Sequence, residues 1–175
     1  MSKLFFLKSQ NFKKIVATVA VLFWMGVIFF FSAQSSVDSG KISKSLGKAV
    51  TVVTVPDLDK RTPGDQNTAI VRMDKFLRSF AHVGLFAVLG FLAYIAVRCY
   101  DKGGFMAVAL ATAVGVLYSL IDEIHQYFVP GRTFEFEDIV FDFGGVVGGV
   151  VAVFLMEIVL TLIKRKRQKQ KNEVK

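Results

Sequence analysis

The chain has 175 residues, of which 53% are hydrophobic and 18 are Phe, and its mean hydropathy of +0.50 is more than a soluble domain of this size can bury. A bilayer is therefore the expected solvent, and the single cysteine, Cys99, rules out an internal disulfide. The formal charge of +8 sits in clusters beside apolar runs rather than on the face of a folded domain, so the clusters are read as membrane-topology signals and no nucleic-acid partner is expected.

The predicted architecture is an all-α membrane protein, a bundle of four transmembrane helices with a long outer loop between the first and second. Residues 1–14 form a basic cytoplasmic N-terminus, 15–163 the transmembrane domain, and 164–175 a basic cytoplasmic tail. The spans fall at about 15–33, 80–97, 105–121 and 139–163. At 1.5 Å per residue even a 17-residue run reaches about 26 Å, near the hydrocarbon thickness of about 30 Å once its flanks are added. Neither strand alternation nor a fixed-period repeat stands out, and lipid admits only helices or a closed barrel, so helices are expected.

The first span follows Lys13 and Lys14 and precedes Ala33 and Ser35, a small-residue pattern that also suits a cleaved signal; its apolar run is longer than the core of such signals, which favours a retained anchor. The connection from Ser32 to Ser79, with Pro56 and Pro63, reads as irregular and exposed. Within it KISKSLGKAVTVVTV is either a short amphipathic helix on the outer leaflet or a flexible tether, and both readings stay open.

Lys and Arg number 4 before the first span, 8 in the first connection, 2 in the second, 1 in the third and 7 after the fourth. Four spans put both termini on one side. The two basic ends outvote the first connection, whose 8 cations face five Asp, so both termini are expected in the cytoplasm.

The third connection is unlike the others, because Asp122 to Asp138 carries five acids and only Arg132. Asp122, Glu123, His125, Gln126, Arg132, Glu135, Glu137, Asp138 and Asp142 then share the outer boundary with Arg78 and His82 at the start of the second span. Arg78 and His82, Asp122 and Gln126, and Asp138 and Asp142 are each four apart, and so share helix faces. Asp138 and Asp142 also suit the positive end of a helix dipole. Pro130 and Gly131 mark a turn that folds Arg132 back onto the acids, where its fork can make charge-assisted hydrogen bonds.

Ordinary interfacial placement remains an equal reading for Asp122, Glu135, Glu137 and His125. Asp142 and His82 lie inside their apolar runs, where an unpaired charge costs up to about 3 kcal/mol, and they need partners. Glu157, on the cytoplasmic side of the fourth span, is expected to reach the interface or pair with a basic neighbour. Below Asp142, Gly144 with Gly148 and Gly145 with Gly149 form two overlapping small-residue pairs for close packing, against another span or a second copy of the chain.

The segment DEIHQYFVPGRTFEFEDIVFDFGGVVGG, together with LRSFAHVGLFAVLG and FFFSAQSSVDSG, resembles the VanZ-like family of bacterial membrane proteins. The resemblance touches all four spans and carries over to Arg78, His82, Glu123, Gln126, Arg132, Asp138, Asp142, Gly145 and Gly149. Ser79 stands where many relatives have Lys, and Asp142 where many have Asn. The resemblance implies a multi-pass protein of the bacterial cytoplasmic membrane, in a family whose namesake is linked to low-level resistance to the lipoglycopeptide teicoplanin. It implies no established reaction.

Three functions are open. In the first, Arg78, His82, Glu123, Gln126, Arg132, Asp138 and Asp142 make an outward-facing site for a membrane lipid, a lipid-linked cell-wall precursor or a lipoglycopeptide antibiotic. In the second, Glu123 and Asp138 act as acid and base on an envelope lipid or glycan, or His82 with Glu123 and Asp138 holds a metal. Against it stand the missing HExxH, Gly-x-Ser-x-Gly and cysteine-nucleophile patterns, so catalytic residues are not assigned, and neither a metal nor another cofactor is expected. In the third, the cluster is an ionic clamp joining helices. The tail from Lys164 is expected to hold anionic lipid at roughly 1 kcal/mol per basic residue near the surface.

Overall fold

A computed structural model describes residues 2–33, 47–130, 132 and 134–173. Helix α1 covers Ser2–Ser32, a short α2 covers 47–54, a 3-10 turn follows at Leu58–Lys60, and α3, α4 and α5 cover Pro63–Cys99, Gly104–Tyr127 and Phe136–Glu173. The four long helices are each long and apolar enough to cross a membrane, and no strand occurs among the described residues.

The connection between the first two spans departs from the irregular loop expected of it. Thr62 caps α3, accepting from the Asp65 N–H at 3.2 Å and donating to its carboxylate at 2.8 Å, while Pro63 takes the first turn, where its missing N–H costs nothing. No proline lies between Pro63 and the end of the helix at Cys99, and α3 runs unbroken from that cap through the second span. Helix α2 packs on its early turns. Thr51 is fully buried, and Gly47 lies so close to Asp74 that an added Cβ would meet it at 3.4 Å. Of the amphipathic-helix expectation, residues 41–46 lie outside the described residues, as do Ser35 of the signal reading and Gly131 of the turn.

Helix α3 is the hub, packing on α5, α4 and α1. Its crossing with α5 is backbone against backbone, because a Cβ at Gly145 would stand 2.4 Å from the Val83 carbonyl oxygen and one at Gly149 only 1.9 Å from that of Ala87. Gly90 answers from α3, with the Val146 oxygen 2.4 Å from its own built Cβ. In lipid, where apolar side chains gain little by leaving the solvent, such close approach is what holds helices together. A Cβ added at Gly144 or Gly148 would meet nothing within 4 Å, so among the described residues it is the Gly145 and Gly149 pair that packs in the bundle.

Phe86, Leu89, Ala93, Ala107, Ala111, Val146 and Val150 form the core around this crossing. Many large apolar side chains, among them Phe23, Phe80 and Phe105 at 69, 66 and 85% exposure, point outward, as expected when the surroundings are hydrocarbon. At the end opposite the α4–α5 turn, Glu157 accepts from Nε and Nη2 of Arg98, the basic partner expected for it, and from Tyr94 at 2.7 Å.

Candidate functional site

Helix α4 turns one continuous buried stripe from apolar to polar. Ala107, Ala111 and Gly115 lead on the same face to Ser119, Asp122, Glu123 and Gln126, spaced at i, i+3, i+4 and i+7, and all are buried. The face that packs the core thus delivers four polar side chains to the end of the bundle nearest the α4–α5 turn.

These groups are held from every side. Asp122 Oδ2 accepts from Ser32 Oγ of α1 and from Gln126 Nε2, both at 2.8 Å. Asp142 Oδ2, on α5, accepts from Ser119 Oγ at 3.1 Å, and Asp142 Oδ1 lies 3.8 Å from His82 Nδ1 on α3. Glu123 Oε1 accepts the backbone N–H of Glu135 at 2.6 Å, tying the last turn of α4 to the segment that opens α5. Arg132 does fold back, but onto Gln126 Oε1 at 2.6 Å, and among the described residues it pairs with no carboxylate and its Nε has no hydrogen-bond partner. Burial, reinforced by the charge of Arg78, pulls the Arg132 guanidinium below its ordinary pKa.

In front of this layer opens a cavity of about 580 Å³. Its polar wall carries Lys75, Arg78, Ser79 and His82 from α3, Gln126 from α4, Arg132 from the turn, and Glu135 and Asp138 at the start of α5. Its apolar wall carries Trp24 and Phe31 from α1 with Leu85 and Val88 from α3. The Trp24 indole donates to the Leu85 carbonyl at 2.9 Å, which pins α1 beside the opening. Lys75 pairs with Glu135, Arg78 stands 3.6 Å from the buried Asp74, and Ser79 donates to Asp138 at 3.3 Å.

Of the residues grouped from sequence, Arg78, His82, Gln126, Arg132 and Asp138 line the cavity. Asp142 lies behind His82, and Glu123 is a cap on the turn, absent from the described cavity lining. The metal-ligating trio weighed from sequence was His82, Glu123 and Asp138; the trio whose ligand atoms converge, within 4.8 Å of one another, is His82, Asp122 and Asp142. His125 stacks on Phe29, with ring centroids 4.3 Å apart, and is not in the cavity lining.

Sequence reasoning missed Lys75, Trp24, Phe31, Ser32 and Ser119. Lys75 was legible in principle, since it precedes Arg78, Ser79 and His82 by three, four and seven residues on one helical face, but that face shows only once α3 is known to start before the apolar run. Ser119, one turn before Asp122, was legible the same way. Trp24, Phe31 and Ser32 depend on how α1 docks, for which the sequence holds no signal.

A family model described as VanZ/LLP1 matches residues 17–159. Comparison with curated proteins and with solved structures returns no match.

Proposed function

The chain belongs to the VanZ/LLP1 family, and on that premise we propose that it binds the anionic headgroup of an envelope amphiphile at the outer face of the bacterial cytoplasmic membrane. The carrying observation is the cavity: at about 580 Å³ it falls within the size of small-molecule sites, and its lining combines Lys75, Arg78 and Arg132 with Trp24, Phe31, Leu85 and Val88. Three cations suit phosphate or carboxylate, and the planar guanidinium groups suit it in a bidentate way. The aromatic and aliphatic wall suits the start of an acyl or prenyl chain. A lipid-linked cell-wall precursor, a phospholipid and a lipoglycopeptide antibiotic share that chemistry, and retention of such a ligand would contribute to antibiotic tolerance.

Of the two carboxylates weighed as acid and base, Glu123 is absent from the described cavity lining and gives Oε1 to the Glu135 N–H, which counts against it in that part, since an acid–base residue must reach the substrate.

The test is binding of short-chain phosphatidic acid to purified protein in detergent, against diacylglycerol of the same chain length. Wild type is expected to prefer the phosphate. Arg78→Gln is expected to weaken phosphatidic acid binding by about tenfold or more, the scale of one charge-assisted pair, and Arg132→Lys to weaken it less, since charge survives and the fork does not. Equal affinity for the two lipids, or undiminished binding in Arg78→Gln, overturns the proposal. Loss of folded yield in both variants favours the clamp, and lipid turnover abolished in Glu123→Gln favours an enzyme.

A further inference from the structure

We propose that His82, Asp122 and Asp142 bind one divalent transition-metal cation, of the Zn²⁺ class, behind the cavity. Three different helices supply one ligand each, α3, α4 and α5, and the ligand atoms lie within 4.8 Å of one another.

The two aspartates carry the argument. They are 1 and 2% exposed, yet each leaves Oδ1 buried without a hydrogen-bond partner. A buried carboxylate oxygen left unpaired is costly, and two such carboxylates in one low-dielectric site also repel each other. A divalent cation between them removes both costs at once. The other oxygen of each group is already held, Asp122 Oδ2 by Ser32 and Gln126 and Asp142 Oδ2 by Ser119. That is the arrangement that orients ligating carboxylates: one oxygen fixed by neighbours, the other free for the ion.

The third ligand is His82. Its Nδ1 stands 3.8 Å from Asp142 Oδ1, too far for a hydrogen bond but close to the spacing of two ligands on one ion. Bonds of about 2.0–2.1 Å around a tetrahedral centre place neighbouring ligands roughly 3.3 Å apart, so the side chains close in from separations of up to 4.8 Å when the ion binds. One imidazole with two carboxylates suits Zn²⁺ or Mn²⁺, whereas Ca²⁺ takes six to eight oxygens. Two carboxylates also balance the ion's charge. Arg78 and Arg132 oppose the ion and Asp138 assists it, so the field of the surrounding charges on His82 is mixed. Three protein ligands leave a fourth position open, and His82 belongs to the cavity wall as well, which joins the ion to the cavity.

The inference does not depend on the headgroup reading, and its test uses no lipid ligand. Full-length protein carrying no polyhistidine tag is loaded with Zn²⁺ alone in detergent, and the metal is measured by elemental analysis, titration calorimetry and X-ray absorption. The expected result is one equivalent per chain, with a first shell of one imidazole and oxygen donors. Asp122→Asn and Asp142→Asn are expected to lose the equivalent, and Ser119→Ala, which removes only an orienting contact, to weaken binding by roughly tenfold. Folded wild type that retains no Zn²⁺, a first shell lacking imidazole or containing the sulfur of Cys99, or folded Asn variants that bind as wild type does would each overturn it. Where the Asn variants do not fold, the wild-type absorption spectrum decides.

Discussion

Glu123 shows how one side chain can serve the site without touching its cavity. Its carboxylate takes the Glu135 N–H at 2.6 Å in a part-buried contact, with Glu123 itself 2% exposed. Glu123→Ala is therefore expected to destabilise the protein by about 1–3 kcal/mol, the scale of one lost hydrogen bond to a carboxylate, and Glu123→Gln by less, because an amide oxygen still accepts. Thermal unfolding in detergent measures both. Gln126 has a different part, with its amide nitrogen on Asp122 and its amide oxygen on Arg132. A residue that donates on one side and accepts on the other links buried Asp122 to the cavity, which neither Glu nor Leu at this position would do.

Among the helices, the α3–α5 crossing carries the most specific expectation. Gly145 and Gly149 face α3 with no room for a methyl group, whereas Gly144 and Gly148, one residue before each, face outward. Gly149→Ala must push α5 off the Ala87 carbonyl, with a cost of about 1–3 kcal/mol or more, and is expected to lower the monodisperse yield; Gly148→Ala is expected to leave it unchanged. Size-exclusion profiles of the two variants make the comparison, and a larger loss in Gly148→Ala would reverse the assignment of faces. The crossing also sets the site, because Asp142 sits one turn before Gly145 and two turns before Gly149 on the same helix. Hydrophobicity told where α5 spans but not which glycine pair faces inward, since both pairs satisfy the same spacing.

For the molecule as a whole, the Lys and Arg bias argues that both termini are cytoplasmic and that the α4–α5 turn faces outward. Reporter fusions near Pro130 are expected to read as external and fusions after Lys175 as internal; a cytosolic Pro130 would turn the cavity away from the envelope and remove the headgroup proposal. Length, hydropathy and charge were enough to establish an all-α membrane protein with four spanning helices, because the bilayer imposes thickness and backbone satisfaction on any chain that crosses it. Spacing alone also grouped Arg78 with His82 and Asp122 with Gln126, because helical periodicity is local. The start of α3 at Pro63, the docking of Trp24 and Ser32, and the meeting of Asp122 with Asp142 and His82 needed the tertiary structure. Those outcomes depend on how separate helices rotate and slide against one another. That choice is made by close backbone contacts between residues far apart in the chain, and no local pattern in the sequence records it.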